Sequence, residues 1–72
     1  MYYIITEGKA KFFPTEAEAE DYQEANYYAC TGDVARVPKG ATHYSIADLS
    51  GMVRAIFYDE SAEEGRKIEV ES

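Results

Sequence analysis

Only one stretch of this chain carries helical signals: residues 15–31, TEAEAEDYQEANYYACT, between Pro14 and Gly32. On either side the sequence breaks into short runs rich in aromatic and β-branched residues, separated by Gly or Pro. With 72 residues there is room for one domain, spanning 1–72, and no more. A lone helix and several short strands point to an α+β fold. The expected form is a two-layer sandwich: a small, mainly antiparallel sheet of four or five strands with one helix, about residues 15–30, packed on one face.

The start of the helix is written in capping chemistry. Thr15 followed by Glu18 is a capping box, in which the hydroxyl accepts from the N3 amide and Glu18 reaches back to the Thr15 amide. Glu16 and Glu18 also complement the positive end of the macrodipole. At about 100° per residue, Ala19, Tyr22, Ala25 and Ala29 share one narrow apolar face suited to close packing on a sheet. Glu16, Glu20 and Glu24 recur at i, i+4 on the other side, with Asp21 beside them. Like charges at that spacing cost a few tenths of a kcal/mol per pair, so helix formation does not ask for them. Gly32 is the expected stop.

The strands follow from period-2 patterns and turn residues. YYIIT (Tyr2–Thr6) and KAKFF (Lys9–Phe13) form a hairpin about Glu7-Gly8. DVARV (Asp33–Val37) is a short strand broken by Pro38-Lys39-Gly40, and THYSIA (Thr42–Ala47) is extended. DLSG (Asp48–Gly51) suits a type I turn, with Asp first and Gly last. MVRAIFY (Met52–Tyr58) is the most apolar run and the candidate central strand. SAEEG (Ser61–Gly65) turns the chain, and RKIEV (Arg66–Val70) alternates as a half-buried edge strand does. The expected core is Ile4, Phe12, Tyr22, Ala25, Val37, Ile46, Val53, Ile56 and Ile68.

Charge narrows the function classes. Fourteen acids against seven bases give a net charge of −7. Direct nucleic-acid binding needs a basic footprint, and anionic membranes repel such a surface. A protein partner with a basic surface fits it; the plainer explanation is that the charge maintains solubility. The single cysteine suits a reducing compartment, and neither a signal-peptide pattern nor a membrane-length apolar run is present. A cytoplasmic location is expected, the host cytoplasm if the chain is phage-encoded.

The residue inventory is poor in catalytic arrangements. Cys30 and His43 are the sole thiol and imidazole, with no nucleophile signature around them. Cys30, next to Ala29, reads more simply as a small buried hydrophobe. One Cys and one His cannot close a structural zinc site. The five glycines are isolated, so no phosphate loop exists. No enzyme activity, cofactor or metal is expected.

Seven tyrosines and no tryptophan suit a thin core whose rings keep their hydroxyls wet, and they also suit an interface. Tyr27 and Tyr28 are adjacent and cannot both face the sheet, so one should stand exposed beside Glu20, Asp21 and Glu24. The alternative is an early helix end with both rings folded onto the domain.

PKGATHYS (Pro38–Ser45) resembles a short phrase, P-x-G-A-T-H-Y, that recurs in small uncharacterised bacteriophage and prophage proteins. The likeness covers about eight residues closely and about twenty loosely; the tryptophans common downstream in those proteins are missing here. It implies a phage origin and carries no catalytic residue. The functional expectation is a small acidic protein that binds and inhibits or modulates a host protein, its carboxylates imitating nucleic-acid phosphates in the manner of anti-restriction or anti-CRISPR inhibitors. Its partner-binding residues would be Glu16, Glu20, Asp21, Glu24, Tyr27 and Tyr28, joined by Asp59, Glu60, Glu63 and Glu64. The alternative is a generic interaction domain, or a homodimer joined through the Arg66–Val70 edge or the tyrosine face.

Overall fold

The N-terminal hairpin forms where its sequence puts it. In the computed structural model, which describes residues 1–59 and 64–70, β1 (Tyr2–Thr6) pairs antiparallel with β2 (Lys9–Phe13). A two-residue turn joins them, with positive φ at both Glu7 and Gly8, the primed geometry that matches strand twist. Helix α1 (Glu16–Ala25) follows, then a 3-10 turn (Tyr27–Ala29) and β3 (Cys30–Arg36), which pairs antiparallel with β1. The chain continues through β4 (His43–Leu49), β5 (Met52–Tyr58) and β6 (Arg66–Lys67).

The α+β class holds, but one sheet of four or five strands does not form. Among the described residues there are two three-stranded antiparallel sheets, ordered β2-β1-β3 and β5-β4-β6. The reason lies in the hairpin. Its strands carry large apolar side chains on both faces, as strands covered on both sides do. Tyr2, Ile4 and Phe13 point to the helix side, where Ile4, Phe13 and Ala19 form a buried cluster with Tyr22, Cys30 and Val34 packed around it. Tyr3, Ala10 and Phe12 point the other way and meet Val37, Tyr44, Ile46 and Phe57. A ten-residue helix covers one face only. The other has to be closed by a second layer, so the C-terminal strands fold over it. The order through the molecule is α1, first sheet, second sheet.

The element boundaries shift for local reasons. The α-helix ends at Ala25 instead of running to residue 30, because Asn26 leaves helical geometry (φ −127°, ψ 36°) and its backbone and side-chain N–H groups both donate to the Tyr22 carbonyl, at 3.0 and 3.1 Å. Gly32 is not the helix stop. It lies inside β3, which begins at Cys30 rather than Asp33, and its φ of +82° carries the irregularity where the β1–β3 register shifts between Tyr3 and Ile5. The expected type I turn at Asp48–Gly51 is replaced by a two-residue primed turn at Ser50-Gly51, with Asp48 and Leu49 still paired in β4. One arm of the capping box is present: Thr15 Oγ1 accepts from the Glu18 N–H at 3.2 Å.

MVRAIFY is a strand but an edge one, not the centre of its sheet. β4 takes the centre because β6 pairs with its other side through His43–Lys67 and Tyr44–Arg66. Beyond Lys67 the expected strand to Val70 is reduced to one parallel bridge, Val70 to Phe12. The turn expected over Ser61–Gly65 falls largely outside the described residues; at its end, Gly65 passes so close to β4 that an added Cβ would collide with the Tyr44 carbonyl oxygen. Of the expected core, Ile4, Phe12 and Val37 are buried. Tyr22, Ile46, Val53 and Ile68 are half-buried, and Ala25 and Ile56 are exposed. Ala25 surfaces because the helix ends there. Ile56 surfaces because its partner Ser45 and the Ser45–Tyr58 hydroxyl pair (3.0 Å) lie on the second sheet's outer face. No helix among the described residues is long and apolar enough to cross a membrane.

Candidate functional site: the acidic helix and its tyrosine pair

Helix α1 sits on the first sheet through a narrow seat. Ala19 is fully buried, Tyr22 and Gln23 are half-buried, and the rest of the helix, Ala17 and Ala25 among it, is exposed. Small side chains let the helix lie close, which turns Glu16, Glu20, Asp21 and Glu24 outward, all exposed. Glu16, Glu20 and Glu24 make one row, each step rising about 6 Å, and Asp21 flanks it.

Two bases on the helix side of the first sheet, Lys11 and Arg36, do not pair with this row. Lys11, on the strand face beneath the helix, places Nζ 4.9 Å from the Tyr22 ring centroid. Arg36, at the end of β3, lies over the Tyr2 ring at 5.7 Å. Both cations are held by aromatic faces. Among the described residues no ion pair engages Glu16, Glu20, Asp21 or Glu24.

The row ends at two aromatic rings. The 3-10 turn is fixed at both ends: Ala29 N–H donates to the Asn26 carbonyl at 2.9 Å, and the buried Thr6 hydroxyl donates to the Ala29 carbonyl at 2.8 Å. Gln23 Nε2 also donates to the Gly32 carbonyl at 3.0 Å, tying the helix to β3. The short turn therefore projects its central residues outward. Tyr27 is 69% exposed and Tyr28 fully so, and their rings meet edge to face at 5.7 Å. The sequence expects one exposed tyrosine or none; both are exposed. Beside them a shallow groove of about 200 Å³ runs between Gln23, Tyr27, Cys30 and Asp33.

The described ones among the other expected partner-binding acids are not on this surface. Asp59 and Glu64 are exposed but belong to the second-sheet layer, with the first sheet between them and α1. Glu60 and Glu63 lie outside the described residues. Cys30 and His43 are also apart. Cys30 packs under the helix with Ile4 and Phe13, while His43 belongs to β4 and its Nδ1 is 2.8 Å from the Thr42 hydroxyl. The two belong to different sheets, Cys30 to β3 and His43 to β4. Among the described residues no group of three His, Cys, Asp or Glu side chains is placed to hold a metal ion.

Thr6, Gln23 and Asn26 support the tyrosine pair without standing out in the sequence. Asn26 alone leaves a trace, since Asn is common at helix ends; the Thr6–Ala29 bond joins residues 23 apart and has no local signature. Set beside known families, curated proteins and solved structures, the chain matches none of them.

Proposed function

We propose that this chain is a small acidic protein of phage type that occupies a basic surface on a host protein and thereby inhibits or modulates it, its helix carboxylates standing in for phosphates. The observation that supports this reading is the row Glu16, Glu20, Asp21 and Glu24. It is exposed, without ion pairs among the described residues, and the cations Lys11 and Arg36 on the helix side of the first sheet lie on tyrosine rings instead. Carboxylates about 6 Å apart along a helix approximate the close charge spacing of a nucleic-acid strand. They can compete for the Lys/Arg groove that receives it, with fast, salt-sensitive association. Tyr27 and Tyr28 give the row an aromatic anchor at one end, the residue type that concentrates binding energy in protein interfaces.

The test uses the triple variant E20Q/D21N/E24Q, which removes three charges from −7 and leaves −4. Immobilised wild-type chain should capture a basic nucleic-acid-binding protein from host lysate at low salt and release it as salt rises, and duplex DNA should compete for the same captured protein. The triple variant should capture nothing while keeping the wild-type circular dichroism spectrum. Equal capture by variant and wild type would overturn the reading. A concentration-dependent mass with little response to salt would favour the homodimerising domain.

A further inference from the structure

Among the described residues, strand pairing joins the two sheets on one side only. There the segment after β6 reaches β2 through the Phe12–Val70 bridge. Followed round, the strands run β3-β1-β2, then Val70, then β6-β4-β5. The ends of that series, β3 and β5, do not pair with each other. Between them lies a groove of about 240 Å³, with Tyr3 and Ile5 of β1 as its floor, Asp33 on one wall, and Val53, Arg54 and Ala55 on the other.

β5 turns hydrogen-bonding groups into this side. Its two-residue turn makes Leu49 and Met52 a hydrogen-bonded pair, so Met52, Arg54, Ile56 and Tyr58 direct their backbone groups to β4. Consistent with this, the Tyr58 carbonyl accepts from the Thr42 N–H at 2.9 Å. Val53, Ala55 and Phe57 therefore direct theirs outward, where no strand pairs with them among the described residues. The other edges carry features that discourage pairing: Lys9 and Lys11 on β2, the irregularity at Gly32 in β3, and a length of two residues in β6. β5 has seven residues, no Pro or Lys, regular pairing throughout, and Arg54 as its one charge.

We propose that this groove is a strand-acceptor site: an extended segment of a partner protein adds to the open edge of β5. Alternate apolar side chains of the segment rest over Tyr3 and Ile5. A carboxylate lies beside Arg54, and a base, where present, beside Asp33. A second copy of this chain fits less well. β1 packs under β5, so two copies joined through β5 would bring two first sheets into the space beneath the groove, whereas a single extended segment needs only the groove. The site lies on the face of the first sheet opposite α1, and it goes beyond the role proposed for the acidic helix.

The probe is a synthetic octapeptide alternating Val with Thr, with one Glu near its centre and one Lys near an end, titrated into the full 15N-labelled chain. Expected are saturable amide shifts at Val53, Ala55 and Phe57 and slowed hydrogen exchange of those three N–H groups. Methylating the peptide nitrogens that face β5 should weaken binding about tenfold, the effect of losing one or two hydrogen bonds. Ala55→Pro removes an outward N–H while sparing the β4 pairing, and should weaken binding similarly. Arg54→Glu, a milder change to the fold, should weaken the Glu peptide and favour one with Lys at that position. Shifts confined to α1 or to the outer face of the second sheet, equal binding of the methylated peptide, or no shift at about 1 mM peptide would overturn the proposal. So would protection of the three amides that rises with protein concentration alone, which would assign the groove to a second copy.

Discussion

The two apolar clusters on either side of the first sheet are built differently. The one beneath α1 draws on Ile4, Phe13, Ala19, Tyr22, Cys30 and Val34, all from the first half of the chain and joined by short connections. The one between the sheets joins Ala10 and Phe12 to Val37, Tyr44, Phe57 and Ile68, from both ends of the sequence. The first is finished with small residues and two half-buried tyrosines, Tyr2 and Tyr22. The second is a ring cluster: Tyr3 meets Phe57 edge to face at 5.0 Å, and Phe12 meets Tyr44 at the same distance. A thin seat on one side leaves a helix free to present charge, while the aromatic cluster on the other ties the remote strands to the hairpin. Exposed charge and the aromatic packing that holds the two sheets together thus lie on opposite sides of one sheet.

Substitutions can separate the two sides. The largest effect is expected from Phe12→Ala. Phe12 is 1% exposed and shared by three ring contacts, so truncation should cost about 3–5 kcal/mol. Against a total on the order of 4–10 kcal/mol for a chain of this size, urea denaturation should show a protein close to unfolding. If Phe12→Ala cost less than a truncation on the helix side such as Ile4→Ala, the inter-sheet cluster would not be the main anchor.

Gly65→Ala is expected to come next, at about 2–4 kcal/mol. Its Cβ would collide with the Tyr44 carbonyl oxygen, and φ of +76° is unfavourable for any side chain. Its signature should be local. The Ile68 N–H, which donates to the Thr42 carbonyl at 2.9 Å, should lose hydrogen-exchange protection while amides beneath α1 keep theirs.

The smallest effect is expected from Thr6→Val, at about 1–2 kcal/mol for the lost bond to the Ala29 carbonyl. It would loosen the 3-10 turn and so disturb the edge-to-face contact of Tyr27 and Tyr28, read as a change in near-ultraviolet circular dichroism. An unchanged signal would mean that the tyrosine pair does not depend on the Thr6 tether.

The features legible in the sequence were those set by neighbours. The β1–β2 hairpin appears over its expected residues, the start of α1 follows Thr15, and the MVRAIFY strand keeps its ends. The acid row was also readable, because i, i+4 spacing places side chains on one helix face whatever the helix packs on. Less visible was the end of α1. The Asn26 bonds to Tyr22 and the Thr6 tether competed with a helical pattern that ran on to Ala29, and a 3-10 turn resulted. That outcome exposed both tyrosines.

By itself, the sequence determined the identity of the local pieces and the sign of the surface: strand runs, a single capped helix, and acids outnumbering bases two to one. Only the tertiary structure decided that the strands divide into two sheets, that β4 rather than β5 is central, and that an open groove remains between β3 and β5. The physical reason is that backbone propensity and side-chain period act over a few residues. Which strand lies beside which depends on covering both apolar faces of the hairpin, and that is settled by residues as far apart as Phe12 and Val70.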